Sequence, residues 1–411
     1  MRFCMVSTFY PPYHSGGDAI YVERLSNALA RRGHTVDVLH DRDAYYLAHR
    51  KEPDMVREEH PNVRVHGLKS PLGFLSPLLT QQTARPWLKP AVRRRLASDQ
   101  YDVIHFHNPS LIGSVAFGYG TAVKLYTLHE HWLICPMHVL WKFGREACDR
   151  PECLKCCLQG WRPPQLWRYT GRLARDLRHI DRFLSPSGFT RDRHRQAGLD
   201  LPVTVLPHFV PPPDSGDAPS PCTRPYFLFV GRLVKLKGVD TLLRVFRHYR
   251  AADLLVVGDG EEGPALRAMA ADLPHVRFLN TVRRQELPVF YRHAIALVMP
   301  SIGYEVFGNV LIEAFASHTP VVARDLGGMP EVVEASQGGL LFHSDDELAS
   351  ALGRLQTSPE LRRSLGDLGH RAYLEKWSEA PHLDAYLAIV AEETRRKASQ
   401  SATRVPRLDD S

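Results

Sequence analysis

Short apolar runs alternate with amphipathic stretches along almost the whole chain. Residues 3–8 form a short apolar run, 19–31 carry apolar side chains at helical spacing, and Gly33 then ends the helix. Further strand-type runs follow at 36–40, 103–107, 123–129, 183–185 and 203–206. This alternation predicts βαβ units and a parallel sheet covered by helices. The texture changes at 210–225, VPPPDSGDAPSPCTRP, which has no apolar period and predicts a linker. Strand-type runs then resume at 226–231, 254–258, 276–279, 296–299 and 321–323, with helices between. Beyond about 345 only helical periodicity remains, at 348–355, 359–377 and 381–395.

The pattern predicts an α/β protein of two doubly wound domains. The first spans 1–209, with an insert at about 130–160, and the linker is 210–225. The second spans 226–380, followed by a helix at 381–396 and a polar tail at 397–411 expected to be disordered. A length of 411 residues, too great for one ordinary core, agrees.

Composition narrows the classes. Apolar content of 44% and charged content of 24% fit a globular chain, and no stretch approaches the ~20 apolar residues of a membrane span. The N-terminus, MRFCMVSTFYPP, reads as a first strand instead of an export signal, so a cytoplasmic location is expected. The net charge is +7, and nine arginines fall in 162–195 together with one helical stretch. Such a segment can meet an anionic membrane surface, a phosphorylated acceptor or nucleic acid; a solvated helix face accounts for it as well. Peripheral contact of 162–195 with the inner face of a membrane is the expectation, with no nucleic-acid partner. Nucleic-acid binding or docking as the sole function leaves the motifs below without work.

In open parallel sheets, ligands bind outside the carboxyl ends of the strands. Gly16 and Gly17 follow the first strand and precede the first helix, where backbone N–H groups can face an anion, although a plain tight turn explains them too. Gly231-Arg232 ends the first strand of the second domain, with Lys237 five residues on. Arg and Lys at that spacing can clamp a diphosphate and stabilise it as a leaving group. Gly258, in VGDG, allows a sharp turn after the next strand. His129 ends a buried strand in the first domain, and His105 and His107 end the preceding one. Glu305 and Glu313 stand eight residues apart in PSIGYEVFGNVLIEAFASHTPVVA, on a strand–turn–helix unit with Gly308 at the helix entry. There they can hold sugar hydroxyls beside the positive end of a helix dipole.

Taken together, GRLVKLKG, VGDG, EVFGNVLIEA, PVVA and GGMPE resemble the second domain of family 4 glycosyltransferases. SGGDAIYVERLSNALARRGHTVDVL, DVIHFHN and YTLHEHW resemble their first domain, so the likeness runs from about residue 1 to 395. The resemblance implies a GT-B fold of two Rossmann-like domains facing across a cleft, with the last helix returning to the first. It implies a nucleotide-sugar donor, either a UDP- or a GDP-sugar, transfer with retention of configuration, and no catalytic metal. By the same resemblance Arg232 and Lys237 bind the diphosphate, with Gly231 and Gly258 lining the donor site. Glu313 holds the ribose, and Glu305 faces the donor sugar beside the N–H groups of Phe307, Gly308, Asn309 and Val310. His129 orients the sugar, and Gly16 and Gly17 approach the phosphates from the other domain. The expected acceptor is a hydroxyl of a saccharide or lipid-linked saccharide in polysaccharide or glycoconjugate synthesis. A small-molecule or antibiotic acceptor is the alternative, and a nucleotide-sugar epimerase of similar architecture is a further one.

Five cysteines, Cys135, Cys148, Cys153, Cys156 and Cys157, fall just after His129. Cys153-x-x-Cys156 has the spacing of a metal knuckle, and Cys135 and Cys148 can complete four thiolates. One structural zinc on Cys135, Cys148, Cys153 and Cys156 is expected, against the alternative of reduced free thiols in a compact loop.

Overall fold

A computed structural model describes residues 1–14, 16–49, 52–53, 59–213 and 218–403. The first half contains strands β1 (Arg2–Ser7), β2 (Thr35–Asp41), β3 (Val63–Leu68), β4 (Val103–Asn108), β5 (Val123–Thr127), β6 (Trp141–Lys142), β7 (Glu146–Ala147), β8 (Arg182–Ser185) and β9 (Val203–Val205). Seven of them form a parallel sheet in the order β3-β2-β1-β4-β5-β8-β9, while β6 and β7 make a small antiparallel hairpin. The helices between them are α1 (Gly17–Arg31), α2 (Arg42–His49), α3 (Leu75–Thr83), α4 (Pro90–Leu96), α5 (Cys153–Gln159), α6 (Arg172–Leu177) and α7 (Gly188–Gln196).

The second half repeats the plan with six parallel strands. These are β10 (Tyr226–Val230), β11 (Asp253–Val257), β12 (Val276–Phe278), β13 (Leu297–Met299), β14 (Val321–Arg324) and β15 (Gly339–Phe342), in the order β12-β11-β10-β13-β14-β15. Its helices are α8 (Val239–Phe246), α9 (Gly263–Met269), α10 (Leu287–His293), α11 (Asn309–Ala316), α12 (Met329–Ser336), α13 (Asp345–Thr357) and α14 (Pro359–Ala372). A final helix, α15 (Glu379–Thr403), returns to the first sheet. There Leu383, Tyr386 and Val390 join Phe3, Met5, Val36 and Leu184 in one core. The last helix is therefore part of the first domain's packing.

Strands buried on both faces read as near-continuous apolar runs, which is why β1, β10 and β11 stand out in the sequence. The edge strand β3 escapes that reading. Its sequence, VRVHGL, buries only Val63 and Leu68 fully. The tail expected to be disordered from 397 is helical to Thr403, and its remainder, 404–411, lies outside the described residues, as do 214–217 of the expected linker.

The arginine-rich stretch 162–195 is not one basic helix. It breaks into a 3-10 turn at Leu166–Thr170, then α6, β8 and α7. Most of its charge is internally committed. Arg182 pairs with Glu392 and Glu393 of α15, Arg191 and Arg195 with Asp192, and Arg193 with Asp149. Arg168 donates to the carbonyl oxygens of Trp132 and Leu133.

Candidate active site between the two sheets

The loop after β13 and the N-terminus of α11 form the centre of the site. Lys237 Nζ lies 2.6 Å from Glu305 Oε1, and Ser301 Oγ donates to the same oxygen at 2.7 Å. Burial works to raise the Glu305 pKa, but Lys237, Ser301 and Arg232 outweigh it and hold the carboxyl below its ordinary value. Arg232 is exposed and within electrostatic reach of that carboxylate.

Glycines make this approach of loops feasible. Lys237 closes a 3-10 turn that ends at Gly238, with φ 62°; a Cβ there would meet Pro300 O at 2.4 Å. Gly327 has φ 72°, and a Cβ on it would sit 2.7 Å from Glu305 N and O. The adjacent Gly328 N–H donates to Glu305 O at 2.7 Å. Gly231 N–H donates to Val257 O at 3.0 Å, which sets Gly231 beside Gly258 at neighbouring strand ends.

Gly308, with φ 101°, precedes α11. The first-turn amides of that helix have no intrahelical partner and carry the positive end of its dipole. Phe307 is buried in front of it, while Asn309 and Val310 begin the helix. Glu313, one turn in, is held from both domains. Arg24 Nη2 of α1 lies 2.8 Å from Oε1, and Tyr291 OH donates to Oε2 at 3.1 Å. From the first domain, Gly16 precedes α1, and a Cβ on Gly17 would lie 3.3 Å from Asn309 Nδ2.

His129 sits at the same junction. His107 Nδ1 is 3.0 Å from His129 Nε2, His129 Nδ1 is 3.0 Å from His208 Nε2, and His208 Nδ1 is 2.9 Å from Asn309 Oδ1. Both nitrogens of His129 are thus engaged within the protein, and the chain of imidazoles ends on the first residue of α11. Burial, then neighbouring histidines, keeps the pKa values of His107 and His129 well below the ordinary value. Burial lowers His208 to about 4, although its bond to Asn309 works the other way. His105, whose ring lies 3.9 Å from that of His107, is bonded outside this chain, to Thr127 Oγ1 at 2.8 Å and Tyr386 OH at 3.0 Å.

The expected donor residues therefore converge, and the structure adds others. Arg24, Tyr291 and His208 had no local signal, because each acts through a partner far away in sequence. Ser187 Oγ donates to Val306 O at 2.6 Å, and Glu331 accepts the Gly188 and Phe189 amides at the start of α7. The Glu in GGMPE thus caps a first-domain helix from the second domain. Asp18, at the start of α1, accepts from Asn108 Nδ2 at 2.9 Å; burial and then Glu130 raise its pKa. Glu130, within electrostatic reach of Asp18, pairs with His138 Nδ1 at 2.9 Å.

The cysteines lie apart from this centre. Cys135, Cys148, Cys153 and Cys156 line one pocket of about 10 Å³. The amides of Met137, Val139 and Leu140 point at the Cys135 sulfur, and Phe143 N–H approaches Cys156 Sγ at 3.5 Å. The expected zinc set is thus gathered but not assembled: among the described residues no three His, Cys, Asp or Glu side chains form a metal-holding group. The insert that carries the pocket reaches the cleft, where Tyr304 OH donates to Asp149 Oδ1 at 3.0 Å beside Glu305.

The comparisons agree with this geometry. The profile of "Glycosyltransferase Family 4" matches residues 15–214, and that of "Glycosyl transferases group 1" matches 224–358. A D-inositol 3-phosphate glycosyltransferase of Streptomyces griseus is 36% identical over 190 residues, 41% of this chain and 40% of that enzyme. The matched stretch thus spans about two-fifths of that relative's length. One from Pseudarthrobacter chlorophenolicus is 29% identical over 410 residues, covering 92% of this chain and 91% of its own. Among solved structures, sucrose-phosphate synthase from Thermosynechococcus elongatus superposes with a TM-score of 0.74 at 23% identity, covering 95% of this chain and 99% of its own. Anabaena HepE in complex with UDP and glucose gives 0.70 at 17% identity, covering 95% and 100%. The chain has the GT-B fold and belongs to glycosyltransferase family 4.

Proposed function

We propose that the protein transfers a sugar from a nucleotide-sugar donor to a hydroxyl of a saccharide or lipid-linked saccharide, with retention of anomeric configuration. The observation that carries this reading is the convergence of Lys237, Arg232, Glu305 and Glu313 on the N-terminus of α11. In the reaction the bond from C1 of the donor sugar to the diphosphate oxygen breaks, and a bond from C1 to the acceptor oxygen forms on the same face. The acceptor's proton passes to the leaving diphosphate. Arg232, Lys237 and the first-turn amides of α11 neutralise the charge that develops there. Glu313 anchors the ribose hydroxyls, Glu305 hydrogen-bonds the donor sugar, and the His107–His129–His208 chain fixes the floor beneath it. Relatives named for inositol 3-phosphate, lipopolysaccharide core and phosphatidylinositol mannoside support a polyol or lipid-linked saccharide as acceptor. HepE, solved with UDP and UDP-glucose, supports a UDP-sugar as donor.

We also propose that Cys135, Cys148, Cys153 and Cys156 turn inward on one structural zinc. Backbone amides aimed at two of these sulfurs support it, since such bonds stabilise metal-bound thiolates. The ion fixes the insert and performs no step of the transfer.

A panel of UDP- and GDP-sugars followed by NMR tests the function. One donor should be consumed with its anomeric configuration kept in the product. Inversion of that configuration, or no consumption of any donor in the presence of saccharide and lipid-linked acceptors, would overturn the reading.

A further inference from the structure

Large apolar side chains left in solvent are concentrated in two stretches of the first domain. Leu72, Phe74, Leu75, Leu79 and Trp87 lie on and around α3. Leu154, Leu158, Trp161, Leu166 and Tyr169 lie on α5 and the segment after it, and Trp161 is 95% exposed. Single exposed apolar residues need no explanation, but a contiguous set does.

The two stretches make one surface. Trp167 Nε1 donates to Gln81 O at 2.8 Å, and Gln82 Nε2 donates to Pro163 O at 3.3 Å, so the end of α3 is tied to the segment after α5. Tyr169 lies within electrostatic reach of Cys153 and Cys157, which places it beside α5.

Charge identifies the occupant. The sequence carries no Asp or Glu from 69 to 96 or from 153 to 175, while Lys69, Arg85, Arg93, Arg94, Lys155, Arg162 and Arg175 lie within them. Arg162 and Arg175 are exposed, with no acidic partner among the described residues. Exposed Trp, Tyr and Leu mixed with unpaired Arg is the composition of a surface that lies in the headgroup region of a bilayer. A second copy docking through the same face would bring like charges together.

We propose that this face of α3, α5 and residues 161–169 docks on an anionic lipid bilayer. Leu158 and Trp161 enter the interface, and Arg162 and Arg175 meet lipid phosphates. The inference extends the proposed function, because the insert bearing α5 also touches Tyr304 at the cleft. Docking there holds the acceptor side of the cleft at the membrane, within reach of a lipid-linked acceptor. Of the 162–195 segment expected from sequence the surface takes only the first part, with Arg162 and Arg175; most of the segment's other arginines are already paired.

Flotation of the full chain with phosphatidylcholine vesicles, with and without phosphatidylglycerol, tests this directly. The protein should float only with the anionic vesicles, and less so at high salt. The pair L158S/W161S should lower the bound fraction about tenfold, with melting temperature and nucleotide affinity unchanged; R162E/R175E should do the same through charge. Wild-type flotation by L158S/W161S would overturn the proposal. So would equal binding to neutral vesicles, or no flotation with a dimer that the double variant dissolves. Flotation does not depend on transfer, so docking by a chain that turns over no donor would leave this inference standing while the proposed function falls.

Discussion

Arg24 Nη2 lies 2.8 Å from Glu313 Oε1, so the carboxylate on the second-domain helix is gripped from the first domain. Tyr291 holds its other oxygen. Each carboxylate oxygen keeps a further lone pair for a ligand hydroxyl, so the two partners orient Glu313 without blocking it. Glu313→Gln is expected to weaken nucleoside diphosphate binding about ten- to a hundredfold, the ~1.5–3 kcal/mol of a hydrogen bond to a charged group. Arg24→Met should cost less, because the carboxylate remains. Calorimetric titration distinguishes the cases; tighter binding by R24M would mean that Arg24 obstructs the site.

Lys237 and Glu305 form the second linkage. Lys237→Ala is expected to lower turnover about a hundredfold or more, the scale for removing one preorganised charge from a leaving group. Its acid side should also change. The Glu305 pKa is depressed, so its pairing is fully present above the ordinary value of 4.5 and is lost as pH falls through the lower folded value. Without Lys237, burial dominates and the pKa rises. The acid limb of donor binding in K237A should therefore move to higher pH than in the wild type. Coincident limbs would remove Lys237 as the partner that keeps Glu305 charged.

Much of this arrangement was legible in the sequence, for a physical reason. Parallel strands buried on both faces are near-continuous apolar runs, and ligand groups follow their carboxyl ends. Arg232, Lys237, Glu305 and Glu313 could thus be placed by counting from β10 and β13. The edge strand β3, half exposed, lacked that signal. Arg24 looked like any charge on an amphipathic helix, and His208 like part of the approach to a linker. The arginines of 162–195 suggested a basic helix because local periodicity does not show their partners, of which Glu393 for Arg182 lies 211 residues away. Periodicity reports which face is buried and is silent on what meets it.

The cysteine pocket yields a compositional test. Protein purified without chelator should carry one equivalent of zinc by elemental analysis, and C153S/C156S should carry none. Loss of the ion should free the insert and lower the melting temperature by several degrees, consistent with about 1–2 kcal/mol. Folded, active protein with no zinc would end the assignment.

The imidazole chain from His107 to Asn309 makes a prediction about pH. Both nitrogens of His129 and of His208 lie within hydrogen-bonding distance of a partner, and burial keeps both rings neutral, so each carries a single proton on a defined side. With His208 Nδ1 donating to Asn309 Oδ1, its Nε2 accepts from His129 Nδ1, and His129 Nε2 accepts from His107 Nδ1. A proton added to His208 or His129 sets two donors face to face. Burial already opposes that charge, which is why the folded pKa of His208 is about 4, against an ordinary 6.5. Below pH 6.5 the unfolded chain takes up a proton that the folded chain refuses. Stability therefore falls with pH, at up to about 1.4 kcal/mol per unit for each such histidine, until the folded ring titrates near 4. Chemical denaturation should show this slope between pH 6.5 and 4, and His208→Gln should reduce it by about one proton. Because His208 joins the first domain to the start of α11, nucleotide affinity should hold through that interval and decline only as pH approaches 4, and less steeply in H208Q. Stability independent of pH across that interval would show that the chain is protonated in the fold and that its bonds run otherwise.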